Sequence, residues 1–408
     1  MALATVTSLR NELSEIGAQD LFRCTFSKYQ CSYITGLNET IVSIGQRKRY
    51  LLGNGLVMLD PHQPDQYDRS LVNDLSAEHL VTAAIPFDPK MGFEIIVPEV
   101  AVIFEGRGRV TISSPHDGQD RALEILYKAT HGVTRNYRTK AQQPRGVIIE
   151  IETAEEFENR VSAAINAIKN TSLNKVVLSK ASVITFTENA EAQLLFDDLS
   201  VDRPDTYLFS IGNYIGASPE LVVNLKGNSV ISHPLAGTAN SACSDRLLRS
   251  DKDKHEHGIV VGQIVSRLLD LGISAQPQSK PTIANYGEIV HLGSRISGWL
   301  SPNSTATSIE IAAHLAPTAA VNGEPYDEAM QYILSNEAPR RGLYGGLVGY
   351  QKMGGDGTWI LNIRSIELDN RKAILRAGVG IVDGSDPAKE NLEATSKIDT
   401  IASSMLGT

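Results

Sequence analysis

Tyr207-Leu208-Phe209-Ser210-Ile211-Gly212-Asn213-Tyr214-Ile215-Gly216-Ala217 consists of two β-prone runs around a Gly-Asn pair, the signature of a hairpin with a two-residue loop. So tight a turn joins antiparallel neighbours, because parallel strands need a crossover of about a dozen residues between them. The pattern recurs on either side. Leu221 to Leu225 turns at Lys226-Gly227-Asn228 into Ser229 to Ser232, and Trp359 to Leu368 turns at Asp369-Asn370 into Ala373 to Ala377. Hairpins in this number argue against the strand–helix alternation of a parallel sheet. The expected fold class is α+β, with stacked antiparallel sheets and helices outside them. In the third pair Trp359, Leu361 and Ile363 share one face and Asn362 and Arg364 the other, so Arg364 is expected to face a wet cavity or solvent.

Helices between the hairpins carry readable starts. Thr153 and Glu156 have capping-box spacing ahead of the stripe Phe157, Val161, Ala164 and Ile168. Ser385-Asp386-Pro387 opens a last helix whose buried face is Ile398, Ile401 and Met405. The candidate linkers, Asp60 to Asp68 and Gln276 to Thr282, are short and read as surface loops, so residues 1–408 are expected to form one domain.

With 38 Lys plus Arg against 47 Asp plus Glu and no basic block, the chain offers no stripe for tracking phosphates, and nucleic-acid binding is not expected. No apolar run approaches the roughly 18 residues of a membrane span, and residues 1–19 include Glu12 and Glu15 without a signal-like apolar core. A cytoplasmic protein with no membrane partner and no obligatory protein partner, monomeric by default, is the expectation. Cys24, Cys31 and Cys243 form no C-x-x-C pair and read as reduced thiols.

Four acids stand out. Asp253 and Glu256 are three apart on one expected helix, Glu390 and Glu393 three apart on the last, so each pair projects from a single helix face. Facing pairs would repel unless a cation lay between them, and magnesium suits such oxygen donors. Each pair alone reads first as a solvated helix face, and the spacing does not select magnesium. Lys397, four residues beyond Glu393, reads locally as an i,i+4 ion pair; Lys175, ahead of Val176-Val177-Leu178, reads as a snorkelling strand-end lysine. His255 and His257 are two apart, which does not suit a shared zinc on a helix. Gly345-Gly346 and Gly378-x-Gly380 permit close backbone approach without completing a nucleotide-binding loop.

Asn174-Lys175-Val176-Val177-Leu178-Ser179, Ala217-Ser218-Pro219-Glu220-Leu221, Pro234-Leu235-Ala236-Gly237-Thr238, Lys252-Asp253-Lys254-His255-Glu256-His257 and Val290-His291-Leu292 follow one another in an order that resembles the chorismate-utilising enzymes. Arg341-Gly342-Leu343-Tyr344-Gly345-Gly346, Ile363-Arg364, Ala377-Gly378-Val379-Gly380-Ile381, and then Glu390, Glu393 and Lys397 continue it. The resemblance runs from about Thr153 to the C-terminus; residues 1 to about 140 contain no comparable motif. It implies a large α+β domain of two stacked antiparallel sheets, chorismate as substrate and Mg2+ as cofactor. By motif position, Glu256 and Glu393 would hold the metal, supported by Asp253 and Glu390. Arg364, Tyr344 and Lys397 would hold the enolpyruvyl carboxylate beside the Gly378 to Gly380 backbone, while Gly237, Thr238 and His291 would line the ring pocket.

The same resemblance bears on the reaction. Lys175 matches the general base of the water-adding members, where anthranilate synthases carry Gln, and Glu220 the opposing general acid. A lysine acts as a base near neutral pH only where desolvation or nearby cations favour its neutral form. Leu235 stands where aminodeoxychorismate synthases have a lysine nucleophile, which disfavours amination at C4. Ala320, in Pro317-Thr318-Ala319-Ala320-Val321-Asn322-Gly323, resembles isochorismate synthases rather than salicylate synthases, which tend to have threonine there; Tyr344 pulls the other way. The expected activity is therefore isochorismate synthase, with salicylate synthase as the alternative and an aminating subunit behind both.

Overall fold

A computed structural model describes residues 2–406 apart from 27, 54, 64, 132–145, 204, 287 and 288. The hairpin that opens the sequence argument forms as expected: Tyr207–Ile211 pairs with Tyr214–Ser218 in antiparallel register, Ile211 opposite Tyr214. Gly212 takes φ 57°, the positive value that the first central position of such a turn requires. Gly227 (φ 56°) and Asn370 (φ 50°) close the other two hairpins in the same way.

Among the described residues all strand pairs are antiparallel, and they build two large sheets of eleven and nine strands. Both sheets mix strands from the two ends of the chain. In the larger, Cys31–Thr35 pairs with Tyr207–Ile211; in the smaller, Leu80–Ile85 pairs with Leu347–Lys352. Between the sheets lies an apolar layer that includes Ile34, Ile41, Phe209, Leu221, Val348, Tyr350 and Ile360. Helices cover the outer faces. Phe157, Val161 and Ala164 of Ala154–Asn170 are buried behind the Thr153–Glu156 capping box, and Ile398, Ile401 and Met405 of Pro387–Leu406 are buried as their spacing requires.

The structure corrects three expectations. Trp359 to Leu368 is not one strand: Gly357–Leu361 belongs to the nine-stranded sheet and Ser365–Asp369 to the eleven-stranded one, with the chain crossing between them at Arg364, whose φ is 52°. A third sheet of three strands, Leu235–Asn240, Ile289–Gly293 and Thr282–Tyr286, accompanies the two large ones. Of the stretch Gln276 to Thr282, only residues 278–281 are loop, because Gln276 and Pro277 end the strand Ser274–Pro277 and Thr282 begins the next. Cys24 and Cys31 are free thiols, and burial pushes Cys31 up to about 11. Among the described residues no helix is long and apolar enough to cross a membrane.

Candidate active site

Two of the places where the chain crosses between the large sheets lie side by side. Tyr214–Ser218 passes through Pro219 and Glu220 into Leu221–Lys226, while Gly357–Leu361 passes through residues 362–364 into Ser365–Asp369. The backbones are tied across the gap: Leu361 N–H donates to the Glu220 carbonyl at 3.0 Å, and Ala217 N–H to the Arg364 carbonyl at 3.1 Å. Beside this double crossing opens a cavity. Glu220, Gly237, Thr238, Glu256, His291, Ala320, Tyr344, Arg364, Gly378, Gly380, Glu393 and Lys397 all contribute to its wall, bringing together residues that lie up to 177 positions apart.

Glu220 is 2% exposed and its Oε1 has no hydrogen-bond partner. Burial raises its carboxyl from the ordinary 4.5 to about 8, so it carries a proton at neutral pH. Lys175, fully buried, is not a snorkelling residue: it begins the strand Lys175–Phe186, and its ammonium lies 3.1 Å from Glu256 Oε1, without the angles of a hydrogen bond. It sits behind the wall, and Gly380 is what lets Glu256 reach it, since a Cβ there would collide with Glu256 Oε1 and stand 3.1 Å from Lys175 Cε.

His291 and Arg364 form the other side. Nδ1 of His291 lies 3.2 Å from the Gly237 carbonyl and 3.3 Å from Thr238 Oγ1; Nε2 lies 3.4 Å from Arg364 Nη2. These partners assign the proton to Nδ1 and leave Nε2 as the acceptor that steers the guanidinium. Burial, with the Arg364 and Lys397 charges, holds the imidazole well below its usual range and hence neutral. Burial likewise lowers Arg364 to about 10, still charged at neutral pH. Tyr344 is 6% exposed, and burial pushes its phenol up, so it is a neutral hydroxyl. Lys397 donates to the Gly378 carbonyl at 2.9 Å and pairs with Glu393 at 2.6 Å, so this i,i+4 pair faces the cavity instead of bulk water.

The two acidic helix faces meet. Asp253 and Glu256 lie on Asp251–Asp270, capped by Ser250, and Glu390 and Glu393 on Pro387–Leu406. Glu256 and Glu393 reach the cavity wall, whereas Asp253 and Glu390 are absent from it. Glu390 is buried in an ion pair with Lys252 at 2.7 Å that joins the two helices. Burial raises Asp253 above the ordinary carboxylate range, with the Glu256 and Glu393 charges adding to the effect. Thus lysines, Lys175, Lys252 and Lys397, balance three of the four acids, and among the described residues no three acids converge as one ligand sphere. Their donors are nonetheless all carboxylate oxygens on two facing helices, the set a hard divalent cation prefers. His257 turns away from them, its Nε2 2.7 Å from Ser294 Oγ.

Arg376 lines the cavity and was not singled out from the sequence, although the two-residue period of its strand puts it on the face of Gly378 and Gly380.

Comparison with known proteins places the chain. The family model described as "Chorismate binding enzyme" matches residues 89–406, starting well before the first motif read from the sequence. The isochorismate synthase DhbC of Bacillus subtilis (strain 168) is 31% identical over 388 residues, covering 88% of this chain and 91% of that protein. Among solved structures, a putative 2,3-dihydroxybenzoate-specific isochorismate synthase from Bacillus anthracis superposes with a TM-score of 0.76 at 25% identity, covering 97% of this chain and 99% of that one. MenF, the menaquinone-specific isochorismate synthase of Escherichia coli, shares the fold at 23% identity, with a TM-score of 0.75 and coverage of 94% and 90%. A family match over most of the chain and a relative of this similarity along nearly its whole length show that the protein belongs to the chorismate binding enzymes.

Proposed function

We propose that the protein is an isochorismate synthase, interconverting chorismate and isochorismate by adding water at C2 as the 4-hydroxyl leaves. The observation that carries this reading is Glu220: a buried carboxyl on the cavity wall that keeps its proton to about pH 8 is an acid poised to donate to a departing hydroxyl. Lys175 Nζ, once it has released the proton it carries beside Glu256, takes the proton from the attacking water, and Glu220 gives its proton to the leaving oxygen. One turnover therefore shifts one proton onto Lys175 and one off Glu220, and both must be returned before the next.

Arg364, oriented by His291 Nε2, and the Tyr344 hydroxyl hold the enolpyruvyl carboxylate, with Lys397 braced on the Gly378 carbonyl beside them. Gly237, Thr238 and His291 bound the ring. Mg2+, held by Glu256 and Glu393 with Asp253 and Glu390 behind them, would supply positive charge to the ring carboxylate and to the oxygen that departs. The names of the relatives agree with water addition. Ala320, on the wall, leaves the enolpyruvyl arm room to stay clear of C2, which favours release of isochorismate over pyruvate elimination to salicylate.

Incubation with chorismate and Mg2+, followed by chromatographic separation of products, tests the proposal. Isochorismate that accumulates with little pyruvate, and that stops forming in excess chelator, is the expected result. Stoichiometric pyruvate with salicylate would favour the elimination that Tyr344 suggests, and anthranilate formed with ammonia would overturn water addition altogether.

A further inference from the structure

The cavity contains one cation that this reaction leaves without a task. Arg376 lies on the strand Lys372–Val382, two residues before Gly378, and is 7% exposed. Its Nη2 donates to the carbonyls of Pro339 at 3.2 Å and Arg340 at 3.0 Å, its only hydrogen-bond acceptors among the described residues. A guanidinium presents five N–H donors in a rigid fork, so Nε and Nη1 are left without acceptors among the described residues. Nor is the charge neutralised by contact. Glu337, a nearby acid, is already held by Arg341 through bonds of 2.6 and 2.7 Å, and Ser179 N–H and Oγ occupy the same carboxylate. Tyr344, whose hydroxyl would stand 3.2 Å from a Cβ on Gly378, lines the same cavity as Arg364 and Arg376. Burial lowers Arg376 from its ordinary range, as expected of a desolvated cation without a close counter-ion. A buried charge with open donors at the wall of a cavity is completed by an anion entering that cavity.

We propose that Arg376 is a second guanidinium for the carboxylate that Arg364 and Tyr344 face, making the cavity selective for ligands that bear a carboxylated side arm as well as a ring carboxylate. This inference rests on chorismate being the substrate. Arg376 acts on binding: it pairs with Ala181, six residues along the strand from Lys175, and has no part in the proton transfers. Its loss should raise KM and leave kcat nearly unchanged.

The test compares wild type, Arg376→Met and Arg376→Lys by steady-state kinetics with chorismate and by calorimetric titration of chorismate. A charge-assisted hydrogen bond is worth about tenfold to a hundredfold in affinity. Arg376→Met should therefore raise KM and Kd at least about tenfold with kcat within about threefold, and Arg376→Lys, which keeps the charge without the fork, should recover part of the loss. KM and Kd within twofold of wild type, or a fall in kcat with KM unchanged, would overturn the assignment and leave Arg376 a brace for the loop at Pro339. If Arg376→Met does not fold, Arg376→Lys decides alone: a KM raised threefold or more supports the proposal, and an unchanged KM overturns it. Wild-type protein that fails to bind chorismate would instead overturn the functional reading, and this inference with it.

Discussion

Replacing Glu220 by glutamine should make the folded protein more stable at pH 8 while disabling it. Between pH 4.5 and about 8 the unfolded chain has released this proton and the folded chain has kept it, so the folded state binds more protons and its stability falls as pH rises through that window. Below pH 4.5 both states are protonated and nothing is lost. A window of about 3.5 pH units at about 1.4 kcal/mol each sets a ceiling of about 5 kcal/mol on the cost of burying this carboxyl at pH 8. Glutamine has nearly the shape of the neutral acid and no proton to lose, so the variant escapes that cost. Urea denaturation of both proteins at pH 4 and pH 8 should show the stability of the variant relative to wild type rising between the two, by no more than about 5 kcal/mol. Turnover should fall by about 10²–10⁴-fold, and wild-type activity should itself decline as pH rises through about 8. A relative stability that does not change with pH would mean that Glu220 ionises like an exposed carboxylate, and the assignment of the acid would fall with it.

Other variants probe other parts of the site. Gly380→Ala places a methyl group against Glu256 Oε1 and should abolish turnover while the protein keeps its far-UV circular dichroism; activity above about a tenth of wild type would show that Glu256 need not stand there. Ala320→Thr should increase the pyruvate released per chorismate consumed, read by coupling to lactate dehydrogenase, and an unchanged ratio would remove this position from product choice. A fragment of residues 153–408 should be insoluble or unfolded when expressed alone, because it loses the strands that pair with Tyr207–Ile211 and Leu347–Lys352; a cooperative thermal transition from that fragment would refute the expectation.

Local chemistry made part of this molecule legible beforehand. The hairpins were readable because turn residues and two-residue alternation are local, as were the capping box at Thr153 and the start at Pro387. The crossing at Arg364 was not, because Trp359 to Leu368 keeps its alternation while the chain changes sheets, and only the tertiary partners show the break. The third sheet escaped notice for a similar reason: its strands at Leu235–Asn240 and Ile289–Gly293 are separated by the helix Asp251–Asp270. The acids and Lys175 could be picked out by spacing and resemblance, yet their pairing with lysines depends on which helices face each other. Arg376 was within reach, since counting back by two from Gly378 finds it; a strand position otherwise occupied by glycines gave no reason to look there for a charge.

The double crossing has a mechanical consequence. Two stretches of main chain run side by side from one large sheet to the other, tied together at the nine-stranded sheet by the Leu361 to Glu220 bond and at the eleven-stranded sheet by the Ala217 to Arg364 bond, so covalent chain rivets the sheets at the place where acid and carboxylate clamp stand. The spacing between proton donor and guanidinium is thereby written into the main chain. Side chains in the layer between the sheets can repack, and the outer helices can shift, without changing that spacing.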